Sequence, residues 1–277
     1  MATFNSAIPY SDTSESIPLD EAASISRIVE IVKTMLAEDL AENDKLRADV
    51  HVKTHGYVEG HLTVLPDLPT ELAQGLFATP SQYAVVVRFS NSANRPMPDL
   101  VPDGRGMAIK VKNVVGEMVS VDPQGSPAQD FVLINHPVFF AANAQDFLRL
   151  EQVLEDSSHN PLHAAKALTG GVWNPIHWHW NEMLKAAGIV AKIPTHPAAA
   201  NYFSMSPFRF GNYVAKFRVQ PTTNIDKSWL EMLARLATKS DAMRLALEET
   251  LQHQSLELIF RSSYEHQRLR CRLKMRR

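Results

Sequence analysis

Cysteine is almost missing from this chain, with Cys271 alone among 277 residues. An intrachain disulfide and a cysteine-rich metal site are thereby excluded, and the usage fits a reducing, cytoplasmic setting. Long apolar runs are missing too: none approaches the ~20 residues that a membrane-spanning helix requires. The Ser-rich start, Met1 to Asp20, has neither the basic stretch nor the apolar stretch of a secretion signal. Charge of one sign is equally scarce. A formal net charge of -2, with 21% charged and 45% apolar residues, lacks the basic excess of a nucleic-acid binder. Size sets no limit, because 277 residues bury a substantial core without disulfide or metal staples.

What is present concentrates between Val50 and Phe140, where His51, Arg88, Ser90, Arg105 and Asn135 are threaded through strand-like apolar segments. The β-branched run Val85-Val86-Val87 favours a strand. Its two-residue period puts Arg88 and Ser90 on one face and Val87 and Phe89 on the other. An enclosed cation is costly unless paired, so Arg88 calls for an anionic bound group or a buried carboxylate.

The organisation reads as α+β, strands early and helices late. Residues 1–18 are expected to be disordered and residues 19–260 to form one domain. A helical stripe runs from Ile25 through Ile28, Val29, Val32, Met35 and Leu36 to Leu40, with Asp20 and Glu21 in its first turn. Short strands are expected at Leu62–Leu65, Ala84–Ser90, Met107–Lys112 and Phe131–Ile134, a spacing that suits an antiparallel barrel or sandwich. Pro66–Pro69 and the Pro/Gly-rich stretch Asn91–Gly106, around Asp99 and Asp103, read as loops. Ala144–Leu154, Trp229–Leu236 and Asp241–Gln252 carry helical periodicity. The last 17 residues, Arg261–Arg277, hold seven Arg or Lys and one Glu, against a formal -8 for the preceding 260. That tail reads either as a disordered basic extension for polyanions or membranes, or as sequence foreign to the domain before it.

Four ordered segments carry a resemblance: Val50-His51-Val52-Lys53 with Gly56, then Val87-Arg88-Phe89-Ser90, then Asp103-Gly104-Arg105-Gly106-Met107-Ala108-Ile109-Lys110, then Asn135-His136-Pro137-Val138-Phe139-Phe140. Together they resemble the haem catalase core. The His51-x-Lys53-x-His55-Gly56 pattern and Arg209-Phe210-Gly211 are similar to the short catalase-related branch, which includes allene-oxide-synthase-like domains. The resemblance covers Leu46 to Gln220. It implies a closed antiparallel β-barrel with flanking helices and b-type haem between barrel and helices. It also implies hydrogen peroxide disproportionation or peroxidase activity in oxidative-stress defence. His51 would be the distal acid/base, since a neutral imidazole can take a proton from a hydroperoxide and return it to the far oxygen. Ser90 would fix the ring's tautomer. Arg88 would bind a haem propionate, and Phe139 and Phe140 would wall the pocket. No metal site beyond the haem iron is implied, and homo-oligomerisation is compatible with the family.

The chain departs from that pattern twice. The catalase asparagine falls at Ile134 when counted back from Pro137, and Asn135 stands one position later. A one-residue shift in a strand turns a side chain to the opposite face unless a bulge intervenes. Asn135 as a peroxide-orienting residue therefore depends on the local backbone. The axial tyrosine of the family lies in a late Arg-x-x-x-Tyr segment, whereas Tyr264 follows Arg261 at the wrong spacing. This suggests a C-terminal segment truncated or replaced, and with it an inactive, haem-free remnant serving as a binding module. A lipid-hydroperoxide-converting haem enzyme is the other alternative. Plainer readings stand beside these. His51 and His55 would be too far apart in a strand to share a metal. His177-Trp178-His179 with Trp173 and Trp180 reads as a packed loop, Asp103 and Arg105 as a pair within a turn, and Arg209 as a barrel salt-bridge residue.

Overall fold

Val85, Val86 and Val87 lie at the centre of β3 (Ser81–Asn91), flanked by β2 (Thr54–Val64) and β4 (Arg105–Lys112), with β5 (Ala128–Ile134) beyond β4. All pairings are antiparallel. Val87 registers with Val58 and Ile109, and Ile109 with Phe131, a row of side chains at most 9% exposed. The next row, Tyr57, Arg88, Ala108 and Val132, is on the opposite face. Alternation of this kind, apolar inward and mixed outward, is what a sheet with one buried face demands. The structure is a computed structural model and describes residues 7–43, 51–93, 96–101, 103–116, 127–139, 141–159, 188, 196–225, 235–262 and 271–276.

The sheet continues after the second helix. With β6 (Tyr202–Ser204), β9 (Phe217–Pro221) and β10 (Leu256–Ser262), seven strands form one curled antiparallel sheet in the order β10-β9-β6-β5-β4-β3-β2. By themselves these strands make a half-barrel, open between β10 and β2. β11 (Cys271–Arg276) pairs with both edges, Leu273 registering with Leu258 of β10 and with Leu62 of β2. A separate small sheet joins β1 (Ile8–Pro9), β8 (Tyr213–Ala215) and β7 (Phe208–Phe210). The hollow of the curl is filled by rings. Phe131 and Phe260 are 4.9 Å apart edge to face, Phe217 lies 5.2 Å from Phe260, and the 3-10 turn Gly75–Phe77 inserts Phe77 at 5.6 Å from Phe260. Tilted and edge-on contacts at these separations suit the aromatic quadrupole.

Among the described residues, three helices of more than three turns accompany the sheet. α1 (Glu21–Asn43) packs against α2 (Ala144–His159), and α3 (Ala242–His253) packs against β2 and the 3-10 turn Pro197–Ala199. Gly56 is what lets α3 approach, since a Cβ there would sit 3.0 Å from Leu247 Cδ2. His196 ties the turn to the helix. Its Nδ1 accepts from the Ala198 N–H at 3.1 Å, so its Nε2–H is the donor toward Ala246 O at 3.2 Å and Thr250 Oγ1 at 3.1 Å.

The expected strands, the helical stripe Ile25–Leu40 and the helices at Ala144–Leu154 and Asp241–Gln252 are present, most of them longer than the apolar kernel, whereas the expected helix Trp229–Leu236 lies almost wholly outside the described residues. Other expectations change. Helices do not simply follow the strands, because β6 to β11 come after α2. Ile8–Pro9, within the stretch read as disordered, pairs with Tyr213 and Val214. β10 runs across the 260/261 boundary, and the basic tail supplies β11 rather than an unstructured extension. His51 is not in a strand: β2 begins at Thr54, and His51 sits in a bend ahead of it with φ at +57°.

Removing residues 263–277 is expected to expose backbone N–H groups along both β2 and β10, while β3 and β4 keep theirs paired. Hydrogen exchange checks this; unchanged protection at Leu62 and Leu258 would show that β11 is not the strand between the two edges.

Candidate functional site

The site is built at the end of the β2–β3 hairpin. The N–H groups of His51 and Val52 donate to the carbonyls of Ser92 and Ala93 at 3.3 and 3.2 Å, and the Asn91 N–H donates to Lys53 O at 3.0 Å. A non-glycine residue at positive φ persists only where its surroundings over-determine it. Here Arg88 supplies a brace, its Nη2 donating to the His51 carbonyl and its Nε to Thr54 Oγ1 at 3.0 Å. Asp103 supplies another, its Oδ2 accepting the N–H groups of Ser92 and Ala93, each at 3.0 Å.

The bend lays the imidazole over the sheet. His51 Nδ1 is 3.1 Å from Ser90 Oγ, and a Cβ on Gly106 would lie 2.5 Å from that same Nδ1. Glycine is required at 106 because the ring occupies the space a side chain would take. Ser90, Gly106 and Ile134 form one register row, and Arg88, Ala108 and Val132 the next. With Gly and Ala on β4, this outer face is a low platform. Tyr57 and Val132, 68% and 48% exposed, border it, and the Arg88 guanidinium is 6.0 Å from the Tyr57 ring centroid. Burial holds the His51 ring below its ordinary 6.5; hydrogen bonding to the Asn91 backbone opposes this, nearby Arg88 reinforces it, and Asp103 opposes it. The ring is therefore neutral at pH 7. Since Ser90 engages Nδ1, Nε2 is the nitrogen left to exchange a proton with a ligand.

Not every expected residue joins this group. Asn135 is buried, but its Oδ1 accepts the Arg105 N–H at 2.9 Å and its own N–H donates to Arg105 O at 2.9 Å. It continues the β4–β5 ladder, and the outward register position beside Gly106 belongs to Ile134, 5% exposed. Phe139 is partly buried and stacks on Phe147 of α2, centroids 6.0 Å apart, which places it at the sheet–helix junction. Phe140, Tyr264 and the His177-Trp178-His179 cluster lie outside the described residues. Arg209 lies over Tyr10 at 4.4 Å, an exposed cation–π contact in place of the expected barrel salt bridge. Among the described residues no cluster of three or more His, Cys, Asp or Glu could hold a metal ion.

Among solved structures the chain is similar to catalase A from Saccharomyces cerevisiae, with a TM-score of 0.51 at 14% identity, covering 98% of this chain and 58% of that one. The fold is catalase-like. A fungal catalase gives a TM-score of 0.49 at 16% identity over 98% of this chain and 56% of that one. The chain thus spans little more than half the length of either protein. No family model matches the sequence, and no curated protein matches it.

Behind the platform lies a buried polar knot that motif reading missed. Asp99, fully buried in the loop between β3 and β4, accepts from Lys53 Nζ at 2.6 Å on Oδ1 and from the Met243 N–H at 2.9 Å on Oδ2, in the first turn of α3. Arg105, expected to pair with Asp103 in a turn, does lie 3.8 Å from that carboxylate. It also donates to Asn91 Oδ1 at 2.7 Å and to Asp99 O at 3.2 Å. His55 Nε2 reaches the same Asn91 oxygen at 2.7 Å, which leaves its Nδ1 without a hydrogen bond, 3.8 Å from Asp99 Oδ1. Burial pushes His55 down, partly offset by Asp99 and reinforced by Arg105 and Lys53. No sequence signal singles out Asp99. His-x-Lys-x-His-Gly does mark Lys53 and His55, but as motif letters rather than as partners of a loop carboxylate.

Gly106→Ala is expected to keep the fold, cost about 1–3 kcal/mol, and drive the His51 ring off the platform. Denaturant midpoints and imidazole NMR read both, and an unshifted ring would contradict the packing. A second expectation concerns acid. Burial pushes His196 down to about 4 from 6.5, opposed by the Ala246 backbone hydrogen bond. The unfolded chain therefore binds more protons between those values, and stability present above pH 6.5 is lost as pH falls toward 4, by about 3 kcal/mol for this group. His55 acts in the same direction. Flat denaturation midpoints from pH 7 to 4.5 would contradict it.

Proposed function

We propose that the outer platform is the distal half of a haem pocket and that the protein is a catalase-related haem protein acting on hydrogen peroxide or an organic hydroperoxide. One observation carries the reading: a half-buried, neutral His51, strained into the left-handed region, held to Ser90 over a glycine that admits nothing else. A structural histidine needs no such arrangement.

The residues fit the group on this side. Ala108 and Val132 offer a flat apolar bed, and Arg88 spends Nε and Nη2 on Thr54 and His51 while its remaining N–H donors can meet a propionate. When bound, haem would supply the iron that makes the peroxide O–O bond breakable. The chain's own part is proton traffic. His51 Nε2 accepts the hydroperoxide proton, Ser90 holds the ring at Nδ1 through the transfer, and the same nitrogen returns the proton to the departing oxygen. Ile134, rather than a polar donor, holds the outward register position beside Gly106, so among the described residues Asn135 does not join His51 in orienting a substrate.

The other side carries a second reading. Tyr202 offers no axial phenolate: it is buried with its phenol pushed up by desolvation and its O–H donated to Pro197 O at 2.7 Å. A haem-free binding module on the same fold would use the platform without the iron.

Titrating the purified protein with haem separates the two. The haem reading expects a Soret band at stoichiometric loading, with hydroperoxide turnover that His51→Ala lowers roughly 10²- to 10⁴-fold while the band persists. Because the His51 ring titrates below 6.5, the acid limb of turnover should also fall below that value. A protein that stays colourless supports the module.

A further inference from the structure

The bend that carries His51 has two rails, His51-Val52-Lys53 and Asn91-Ser92-Ala93, held together by backbone hydrogen bonds. Each rail is tied separately to the same residue. On the first, Lys53 Nζ meets Asp99 Oδ1 at 2.6 Å and also donates to Met97 O at 2.9 Å and to Ser240 O. On the second, Arg105 bridges Asn91 Oδ1 and Asp99 O, at 2.7 and 3.2 Å. Asp99 is itself fixed from behind by α3, through the Met243 N–H on Oδ2 at 2.9 Å and its own N–H on Ser240 O at 3.0 Å.

We propose that Asp99 is the positioning residue of the site: it holds His51 in its left-handed bend, through Lys53 on one rail and Arg105 on the other, and keys that bend to the first turn of α3. The inference rests on His51 being the acid/base of the site. Asp99 is fully buried and the Lys53 side chain 15% exposed, so neither is placed to meet a substrate. A buried ion pair gives little net stability over apolar residues of the same shape. What this one contributes is geometry. Removing one partner strands the other, whereas removing both does not.

The test reads the His51 ring in haem-free, full-length protein by ¹⁵N NMR across pH. Arg88 and Asp103, the charged groups that act on the ring, are left intact in every variant. The wild type should show one neutral tautomer persisting below pH 6.5. Lys53→Met and Asp99→Asn should give tautomer-averaged shifts and a midpoint displaced up toward 6.5, and Lys53→Arg should restore the wild-type pattern. Thr250→Val, which removes the His196 contact to the other end of α3, should lower the Tm and leave His51 unmoved. If the single variants do not fold, the Asp99→Asn/Lys53→Met pair, which buries no unpaired charge, is read the same way. A His51 spectrum identical to wild type in these variants, or one equally disturbed by Thr250→Val, overturns the proposal. Because the ring is read without haem, a wild type that binds none would sink the haem reading while these spectra still decide the role of Asp99.

Discussion

A histidine in the left-handed region costs of order 1–3 kcal/mol, and the structure that keeps it there has to supply that from elsewhere. In this chain the supply is a set of charge-assisted hydrogen bonds around the end of one hairpin. Arg88 grips the His51 carbonyl, Asp103 grips the two amides whose carbonyls receive the bend, and Asp99 grips Lys53. Without them the backbone at 51 would relax into an ordinary strand entry and the imidazole would leave Gly106. The outer platform, the neutral ring and the orientation of its second nitrogen all follow from that one strained residue.

The curled sheet makes this possible by giving its faces different work. Inward, rows such as Val58, Val87, Ile109 and Phe131 pack with the phenylalanines of the hollow and hold strand spacing rigid. Outward, the same strands place Ser90 beside Gly106 and Arg88 beside Ala108. Because side chains alternate with period two, register on the buried face fixes register on the outer one. Asn135 illustrates the consequence. It keeps the ladder going by bonding Arg105, and Ile134 inherits the outward place.

Much of this is legible in the sequence. Val85 to Ser90 announced a strand with Arg88 and Ser90 sharing a face, and that is how they lie. The motif around Asp103-Gly104-Arg105-Gly106 marked the strand that approaches His51. Other features were hidden for physical reasons. β6 and β9 are three and five residues long, too short for a periodic signal, and are held by their neighbours rather than by propensity. The tail's density of arginine read as foreign, although Cys271, Leu273 and Met275 alternate with Arg272, Lys274 and Arg276 in a strand's period. Asp99 was invisible because its partners are 46 and 144 residues away, and a loop aspartate gives no local hint of either. Positive φ at His51 was equally unreadable, since valines on both sides argued for extension.

The most direct measurement is a crystal structure of the protein after incubation with haem. The account expects the porphyrin to lie on the outer face of β3 to β5, with His51 Nε2 turned toward its iron and Arg88 against a propionate. A porphyrin seated elsewhere, or an imidazole that has left Ser90 for bulk water, would contradict it.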